Sequence, residues 1–216
     1  GAHVVAIART VGGLEELDDE IKKEGGGATL VPADLRDFDA LDRLGAALHE
    51  RYGRLDVLVG NAGVSGNLSP LGHVEPKDWD EVIAVNITAN WRLIRSLDPL
   101  LRQAEAGRAV FITSGRTYKA AAYLGPYAVS KAALEMLART YASETATTQV
   151  KVNLFNPGPI RTRMRAKAMP GEDPMTLDTP EQAAEHILKL CLPACEVSGM
   201  IYDYPLRRFL GFRAPA

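Results

Sequence analysis

Two side chains near the middle of the sequence are suited to acid-base chemistry. Tyr127 and Lys131 are four residues apart in a stretch with helical periodicity, so they lie on one helix face with their polar ends within reach of each other. A free tyrosine loses its proton near pH ~10, and a neighbouring ammonium stabilises the phenolate. The pair could therefore exchange a proton with a bound ligand at neutral pH. By itself, the same spacing is also typical of an ordinary surface pair.

A serine that precedes this pair could join it. Ser114 follows residues 109–113, a short apolar run that is typical of a buried strand. In an open α/β sheet the carboxyl ends of the strands carry the reactive groups, so a hydroxyl placed there can donate to a carbonyl oxygen. A serine at the end of a strand also commonly forms a turn. No Gly-x-Ser-x-Gly sequence surrounds Ser114, which argues against a hydrolase nucleophile.

Strand-like and helix-like segments alternate along the chain, and these elements must position the three side chains. Short β-branched or apolar runs predict strands, and apolar residues at spacings of three and four predict helices. The predicted strands are residues 4–8, 28–31, 55–59, 109–113, 150–155 and 200–202. The predicted helical segments are residues 14–23, 38–52, 76–106, 126–143 and 180–190. This alternation predicts a doubly wound α/β fold, in which helices cover both faces of a parallel sheet.

Several separated motifs accompany the serine, the tyrosine and the lysine. They are Asn61-Ala62-Gly63, Val85-Asn86-Ile87-Thr88, Thr113-Ser114, Tyr127-Ala128-Val129-Ser130-Lys131 and Pro157-Gly158-Pro159-Ile160-Arg161-Thr162. In kind, order and spacing, this set resembles the signature of the short-chain dehydrogenases/reductases, which have a Rossmann-type sheet. The resemblance extends from Val4 to about Tyr202, nearly the whole chain.

The resemblance implies a reaction and a role for each residue. Tyr127 would give or take the proton on the oxygen of a carbonyl or alcohol substrate while hydride passes to or from the nicotinamide. Lys131 would lower the pKa of Tyr127 and hold the nicotinamide ribose. Ser114 would orient and polarise the carbonyl. Asn86, in a locally opened helix, would hold a water that connects Lys131 to solvent.

The same resemblance assigns residues to the dinucleotide cofactor. Asp34, followed by Leu35, would bind its adenine end, although an aspartate at this position could also cap the next helix. The remaining implied cofactor residues are Asn61, Ala62, Gly63, Tyr127, Lys131, Pro157, Gly158, Ile160 and Thr162.

Charge at the end of the first predicted strand indicates which dinucleotide is bound. In these folds an acidic residue at this point binds the ribose 2′-hydroxyl of NAD, whereas an arginine accommodates the 2′-phosphate of NADP. Here Ala8 is followed by Arg9, with no carboxylate. We therefore expect NADP, with NAD as the alternative and a solvated loop arginine as the plainer explanation of Arg9.

One part of the family pattern is absent from the sequence. A strand, a glycine-rich phosphate turn and a helix should come first, whereas the chain begins at what looks like the second strand. Neither Gly12-Gly13 nor Gly25-Gly26-Gly27 has the pattern of that turn. We expect about 30 further residues, one strand-turn-helix unit, to precede Gly1 in the complete protein. The backbone should then show an empty strand position between residues 4–8 and 55–59.

Composition narrows the remaining possibilities. A chain of 216 residues can build one sizeable core, so we expect a single domain spanning residues 1–216. The formal net charge of -2 and the lack of a basic run argue against a nucleic-acid partner. Without a long apolar stretch or a signal-peptide pattern, we expect a cytoplasmic protein with no membrane partner. Cys191 and Cys195 lack the further ligands of a metal site.

The resemblance also indicates partners and specificity segments. Substrate specificity would be determined by residues 64–71, 115–126 and 163–180, which do not identify the substrate. The apolar helix around residues 79–101 and the Tyr127 helix would form subunit contacts, so we expect a homodimer or homotetramer. The alternative to an enzyme is a catalytically silent, NADP-binding regulator on the same fold. Such proteins tend to lose the tyrosine or the lysine, whereas this chain has both.

Overall fold

Strands and helices follow one another in the predicted order. The structure, a computed structural model, describes residues 1–212. The strands are β1 (His3–Ala8), β2 (Gly27–Pro32), β3 (Val57–Gly60), β4 (Arg108–Ile112), β5 (Lys151–Asn156), β6 (Ile201–Asp203) and β7 (Arg208–Leu210). The helices are α1 (Val11–Lys23), α2 (Phe38–Tyr52), α3 (Pro76–Ile83), α4 (Ala89–Leu101), α5 (Gly125–Glu144), α6 (Arg163–Ala168) and α7 (Pro180–Cys191).

The strands form two sheets that are almost entirely parallel. β3, β4, β5 and β6 pair in parallel in that order, and β7 pairs antiparallel with β6. β1 and β2 form a separate parallel pair. The carboxyl ends of β3, β4 and β5 therefore lie along the same sheet edge, which is where an α/β fold places its ligands.

The strand order is interrupted between β1 and β3. Within residues 1–212, β1 pairs only with β2, and β3 pairs only with β4. Val5 and Ile7 of β1 nevertheless pack against the same hydrophobic core as Leu58 of β3. The predicted interruption between residues 4–8 and 55–59 is thus confirmed, because the two strands share a core but no hydrogen-bond ladder.

Helices cover both faces of the larger sheet, and β4 shows how. Successive side chains of a strand point to opposite faces. Ala109 and Phe111 belong to a core that contains apolar residues of α2, α4 and α5, whereas Val110 lies in a second core with Ala183 and Leu190 of α7. All three β4 residues are fully buried. The doubly wound α/β prediction is confirmed.

Short polar and glycine signals determine where α2 begins and ends. The Asp37 carboxylate accepts a hydrogen bond from the Ala40 backbone N–H at 3.0 Å, which caps the first turn. Gly53 ends the helix with a φ of 72°, in the left-handed region that glycine adopts most easily. The cap of α2 is therefore Asp37 and not Asp34, the residue for which the sequence left a capping role open.

The segment predicted as one helix over residues 76–106 is divided. α3 continues into a π-helical turn, Ala84–Thr88, and then into α4, which ends at Leu101. A π turn inserts an extra residue into the helical ladder and is often found at functional sites. The apolar periodicity predicted the helical segment but could not show this insertion. The resemblance did, because it implied an opened helix at Asn86.

Two short elements had no counterpart in the prediction. β7 follows the strand that was expected to be the last, and α6 lies in a segment predicted only as a loop. β7 is three residues long, and a tight turn in which Arg207 has a φ of 53° connects it to β6. Elements this short contain too few residues to show a period.

Candidate active site

A cavity of about 480 Å³ opens at the carboxyl ends of β3, β4 and β5. Most of the predicted site residues line it. They are Asn61, Ala62, Gly63, Ser114, Tyr127, Lys131, Pro157, Gly158, Ile160 and Thr162. Residues separated by about 100 positions therefore meet at one place. Asn86, Arg9, Asp34 and Leu35 do not line this cavity.

Tyr127 lies in the first turn of α5, which begins at Gly125 and Pro126. Proline is favoured there because the first helical N–H groups have no intrahelical partner. The phenol is largely buried, and this burial raises the pKa of Tyr127 above its ordinary value. The Ser114 hydroxyl and the positive charge of Arg116 oppose that rise in pKa. Tyr127 is therefore a protonated acid at neutral pH in the structure.

Lys131 lies one turn further along α5 and is buried. Its Nζ donates a hydrogen bond to the Ile112 carbonyl oxygen at 2.7 Å and lies 5.8 Å from the centre of the Tyr127 ring. Burial lowers the pKa of Lys131 from 10.5 to about 8. The resemblance implied that Lys131 lowers the pKa of Tyr127. In the structure, burial of the phenol has the larger effect, and Lys131 is not among the groups that oppose it.

Ser114 is the second residue after the end of β4, and it lines the same cavity. The Ser114 Oγ accepts a hydrogen bond from the Arg116 backbone N–H at 3.3 Å, at the start of a 3-10 turn, Gly115–Thr117. The turn-forming role and the predicted site role are therefore both compatible with its position. The Ser114 hydroxyl has one proton to donate, and its interaction with the Tyr127 phenol opposes the rise in the pKa of that group.

Glu135 anchors the segment that carries Ser114. Its Oε1 accepts hydrogen bonds from the hydroxyls of Thr113, at 2.6 Å, and Thr117, at 2.8 Å. These two threonines flank Ser114, so one carboxylate on α5 holds both sides of the turn. Sequence reasoning missed Glu135, since the only signal was its position one turn after Lys131.

Asn86 is fully buried in the π turn and acts at a distance from the cavity. Its Oδ1 accepts from the Val64 N–H, and its Nδ2 donates to the Val64 carbonyl, both at 2.9 Å. The same Nδ2 donates to Ser130 Oγ at 2.9 Å. Asn86 therefore connects the loop after β3 to the helix that carries Tyr127 and Lys131.

Gly63 lies where this loop approaches the lysine. A Cβ atom on Gly63 would be 3.4 Å from both Asn86 Oδ1 and Lys131 Nζ. Those two groups thus flank the same point, although they do not bond to each other. A small residue at this position keeps the ammonium accessible from the cavity.

The loop after β5 is rigid for local reasons. Gly158 has a φ of 65°, and a Cβ there would lie 2.4 Å from Pro205 Cγ, so only glycine fits. The Gly158 N–H donates to Asn156 Oδ1 at 3.1 Å, and Asn156 Nδ2 donates to Asp203 Oδ2 at 2.8 Å. Thr162 caps α6 by accepting from the Arg165 N–H. Asn156 and Asp203 were not predicted.

Arg9, Asp34 and Leu35 lie at the ends of the separate β1–β2 pair. Asp34 accepts hydrogen bonds from the Arg36 guanidinium and backbone N–H, and these lower the pKa of Asp34 to about 2. The positive charge of Arg9 contributes to the same shift in pKa. Leu35 packs against the main core. Arg9 is exposed and has no ion-pair partner within residues 1–212.

The residues of the cavity fit the nicotinamide end of a dinucleotide. The Lys131 ammonium has three donors, and one is used by Ile112, so two can reach ribose hydroxyls. The close approach of the backbone at Gly63 and the left-handed turn at Gly158 leave room for a flat ring. Only the nicotinamide end of the cofactor is covered by these residues, which all line the cavity.

The three segments expected to determine specificity all contribute to the cavity wall. Ser65 comes from residues 64–71. Arg116 and Leu124 come from residues 115–126, and Met164, Arg165, Ala168 and Met169 come from residues 163–180. The positions of these segments were predicted from the resemblance, but the individual residues were not.

The family model for short-chain dehydrogenases matches residues 1–173 of this chain. The chain belongs to the short-chain dehydrogenase family. It is 34% identical over 183 residues to the oxidoreductase YciK of Escherichia coli K12, covering 83% of this chain and 72% of YciK. It is 37% identical over 152 residues to an NAD-dependent oxidoreductase of Mycobacterium tuberculosis, covering 70% of this chain and 55% of that relative.

A solved structure of another short-chain dehydrogenase has the same fold. The short-chain dehydrogenase of Escherichia coli CFT073, determined in complex with NADPH, superposes with a TM-score of 0.87 at 32% identity. The superposition covers 92% of this short-chain dehydrogenase and 84% of the E. coli chain. The Rossmann-type fold that the motifs implied is thereby confirmed.

Residues 1–212 of this short-chain dehydrogenase lack two further features. None of the helices that the structure describes combines the length and apolar character that a membrane crossing requires. In the same residues, no group of three or more His, Cys, Asp or Glu side chains could hold a metal ion.

Proposed function

We propose that the protein is an NADP(H)-dependent oxidoreductase that interconverts a carbonyl compound and its alcohol. The observation that carries the proposal is the convergence of Tyr127, Lys131 and Ser114 on one cavity wall. When bound there, the nicotinamide would supply or accept the hydride. The protein itself would bind the substrate oxygen and move its proton.

In the reductive direction, Tyr127 is the general acid. The substrate oxygen would accept hydrogen bonds from the Tyr127 and Ser114 hydroxyls, which polarise the carbonyl for hydride addition. Tyr127 then gives its proton to that oxygen. Because burial raises the pKa of Tyr127, the phenol is fully protonated for this step at neutral pH.

We assign Lys131 to stabilising the phenolate that remains, although without a ligand the lysine does not lower the pKa of Tyr127. Its Nζ is 5.8 Å from the ring centre, near enough for its charge to act across a desolvated site. Since burial lowers the pKa of Lys131 to about 8, the ammonium is also close to the pH at which it can release a proton. We assign Asn86 to the positioning of Lys131 and of the loop after β3, and a water near it would connect the lysine to solvent.

The cofactor would be held along the carboxyl ends of the strands. Asn61, Ala62 and Gly63 would bind it on one side, and Pro157, Gly158, Ile160 and Thr162 on the other. Asp34 and Leu35 would contact its adenine end. NADP is favoured over NAD because Arg9 is exposed and forms no ion pair within residues 1–212, and because the E. coli CFT073 relative was determined with NADPH.

The test is cofactor oxidation by the complete protein with a panel of aldehydes and ketones. NADPH should support turnover at lower concentration than NADH. Tyr127→Phe should bind NADPH as the wild type does but reduce kcat at least about 100-fold, because the general acid is lost. Retention of wild-type kcat in Tyr127→Phe would overturn the mechanism. Tight NADPH binding without turnover of any substrate would instead support the silent regulator.

A further inference from the structure

The cavity that contains Tyr127 has no acidic side chain in its wall within the described residues, but it has three basic ones. They are Lys131, Arg116 and Arg165. A wall of this composition favours a negatively charged ligand group, provided that the basic side chains are not already neutralised by the protein. The preference for an anion therefore depends on which of the three is already paired.

Two of the three have an assigned contact. Lys131 donates to the Ile112 carbonyl and, in the proposed function, holds the cofactor ribose. Arg165 forms a two-pronged pair with Glu172, at 2.6 Å from each nitrogen to its carboxylate oxygen. Arg165 is thus neutralised within the protein.

Arg116 differs from both. Its guanidinium is half-buried and has no carboxylate within ion-pair distance and no hydrogen-bond acceptor in the described residues. Its backbone N–H bonds Ser114 Oγ, so the residue is attached to the catalytic serine. The guanidinium nitrogens stay accessible to solvent, so the oxygens of an anionic ligand in the cavity can reach them and accept charge-assisted hydrogen bonds.

Part of the wall that contains Arg116 is apolar. Leu124, Ile160, Met164 and Met169 contribute to the same wall. A substrate here would have a hydrocarbon body with one charged end. Arg116 and Tyr127 line the same cavity, and the Arg116 charge opposes the rise in the pKa of Tyr127.

We infer that Arg116 binds an anionic group of the substrate, so that the substrate is an oxo acid or the corresponding hydroxy acid. This inference rests on the proposed function and extends it. A carboxylate matches the fork of the guanidinium through two parallel hydrogen bonds, and a phosphate monoester offers the same oxygen geometry. A carboxylate and a phosphate share this chemistry, and either would place an anion near the reacting carbonyl.

The experiment compares acids with their neutral esters in the complete protein. The pairs are pyruvate and methyl pyruvate, acetoacetate and methyl acetoacetate, and levulinate and methyl levulinate. Dihydroxyacetone phosphate against dihydroxyacetone forms the phosphate arm. Wild type should prefer one charged partner by about 10- to 100-fold in kcat/KM, the range of a charge-assisted hydrogen bond. The arm in which the preference occurs identifies the anion.

Variants then assign the preference to Arg116. Arg116→Gln should raise KM for the charged substrate about 10- to 100-fold, with kcat/KM for its neutral partner changed by less than about threefold. Arg116→Lys should recover part of the preference, because it keeps the charge but loses the fork. Arg163→Gln is the matched control, since it removes an equal charge from the neighbouring helix without lining the cavity.

A second readout follows from the contact with Tyr127. Removing the Arg116 charge should raise the pKa of Tyr127, so the alkaline rise of kcat/KM for oxidation of a neutral alcohol should move to higher pH in Arg116→Gln. Arg163→Gln should leave that profile unchanged.

The possible failures are distinguishable. If wild type reduces neutral carbonyls as well as it reduces acids and Arg116→Gln changes neither, the inference is wrong and the proposed function stands. A higher Kd for NADPH in Arg116→Gln, without a change in substrate preference, would assign Arg116 to the cofactor and also overturn the inference. Absence of turnover with every carbonyl and both cofactors would remove the proposed function itself.

Discussion

Lys131 illustrates, at the scale of one residue, a conflict between function and stability. Only 3% of its surface is exposed, and the Ile112 carbonyl is its one hydrogen-bond acceptor in the described residues. The lowering of its pKa from 10.5 to about 8 corresponds to an unfavourable ~3 kcal/mol for the charged form in the folded state. Stabilising contacts elsewhere in the molecule must offset that cost.

We predict that Lys131→Met abolishes activity and stabilises the protein by about 1–3 kcal/mol at pH 7, because a buried charge is replaced by an apolar chain of similar length. The folded pKa of Lys131 lies below the unfolded one, so the unfolded state binds more protons between about pH 8 and 10.5. The free energy of unfolding of wild type should therefore rise relative to that of the variant across this window. Urea unfolding of both proteins at several pH values provides the measurement. A gap that stays constant from pH 7 to 10.5 would contradict the assignment.

Ser114 and Arg116 show a second residue-scale feature. A single 3-10 turn presents a hydroxyl and a guanidinium to the same cavity, two positions apart. In an α-helix, residues two positions apart would not share a face, because the helical period is 3.6 residues. The turn after β4 thus determines which functional groups reach the substrate together.

At the scale of elements, the site depends on connections between α5 and the loops around it. Glu135 connects α5 to the turn that contains Ser114, and Asn86 connects the π turn to the loop after β3. Burial raises the pKa of Glu135 above its ordinary value, and the two threonine hydroxyls oppose this. Each of these connections is made by a polar side chain that needs hydrogen-bond partners in the protein interior.

We predict that Glu135→Ala lowers kcat and destabilises the protein by about 1–3 kcal/mol, because the Thr113 and Thr117 hydroxyls lose their acceptor. Glu135→Gln is the matched control. Both hydroxyls donate to Oε1, and the glutamine amide keeps an oxygen there. Kinetics and urea unfolding of the two variants test this role. An alanine variant with the kcat of wild type would show that the turn holds Ser114 without Glu135.

The same pair of variants has a predictable pH dependence. Since the pKa of Glu135 is raised in the folded state, that state binds more protons than the unfolded one between the two pKa values. The free energy of unfolding of wild type should therefore fall relative to that of Glu135→Gln as the pH rises through this window. The window begins at the ordinary carboxyl pKa and extends upward. Thermal unfolding between pH 4 and 7 follows the difference.

At the scale of the whole molecule, apolar side chains remain exposed on the helices that flank the site. Val129 and Met136 are seven positions apart on α5, and Trp91 lies on α4, each with more than 40% of its surface exposed. These are the helices that the resemblance implied as subunit contacts. A second copy of the chain on this face would bury them.

We therefore predict that the protein is a dimer or tetramer in solution and that Met136→Arg shifts it toward the monomer. A charge in an apolar contact would lose its hydration without gaining a partner. Leu188→Arg on α7 is the control, because Leu188 is 62% exposed but lies on another helix. Sedimentation velocity at several concentrations distinguishes the states. A wild-type monomer at micromolar concentration would contradict the prediction.

The sequence by itself determined the class of fold, the order of its elements and the three residues that meet at the cavity. These features depend on signals that are local in the chain. Apolar period distinguishes strand from helix, four positions of helix bring Tyr127 and Lys131 to one face, and the end of a strand exposes Ser114. The family motifs extended these predictions to the loops that line the site.

Only the tertiary structure decided which distant groups meet those residues. Arg116 lies beside Tyr127, Glu135 holds the Ser114 turn, and Asn86 bonds Val64, although no periodicity connects these positions. The pKa values depend on the same packing, because desolvation of Tyr127 and Lys131 comes from elements far away in the chain. Burial and charge are properties of the assembled fold, and for this reason the reaction type could be predicted from local pattern while the proposed contact of Arg116 with the substrate could not.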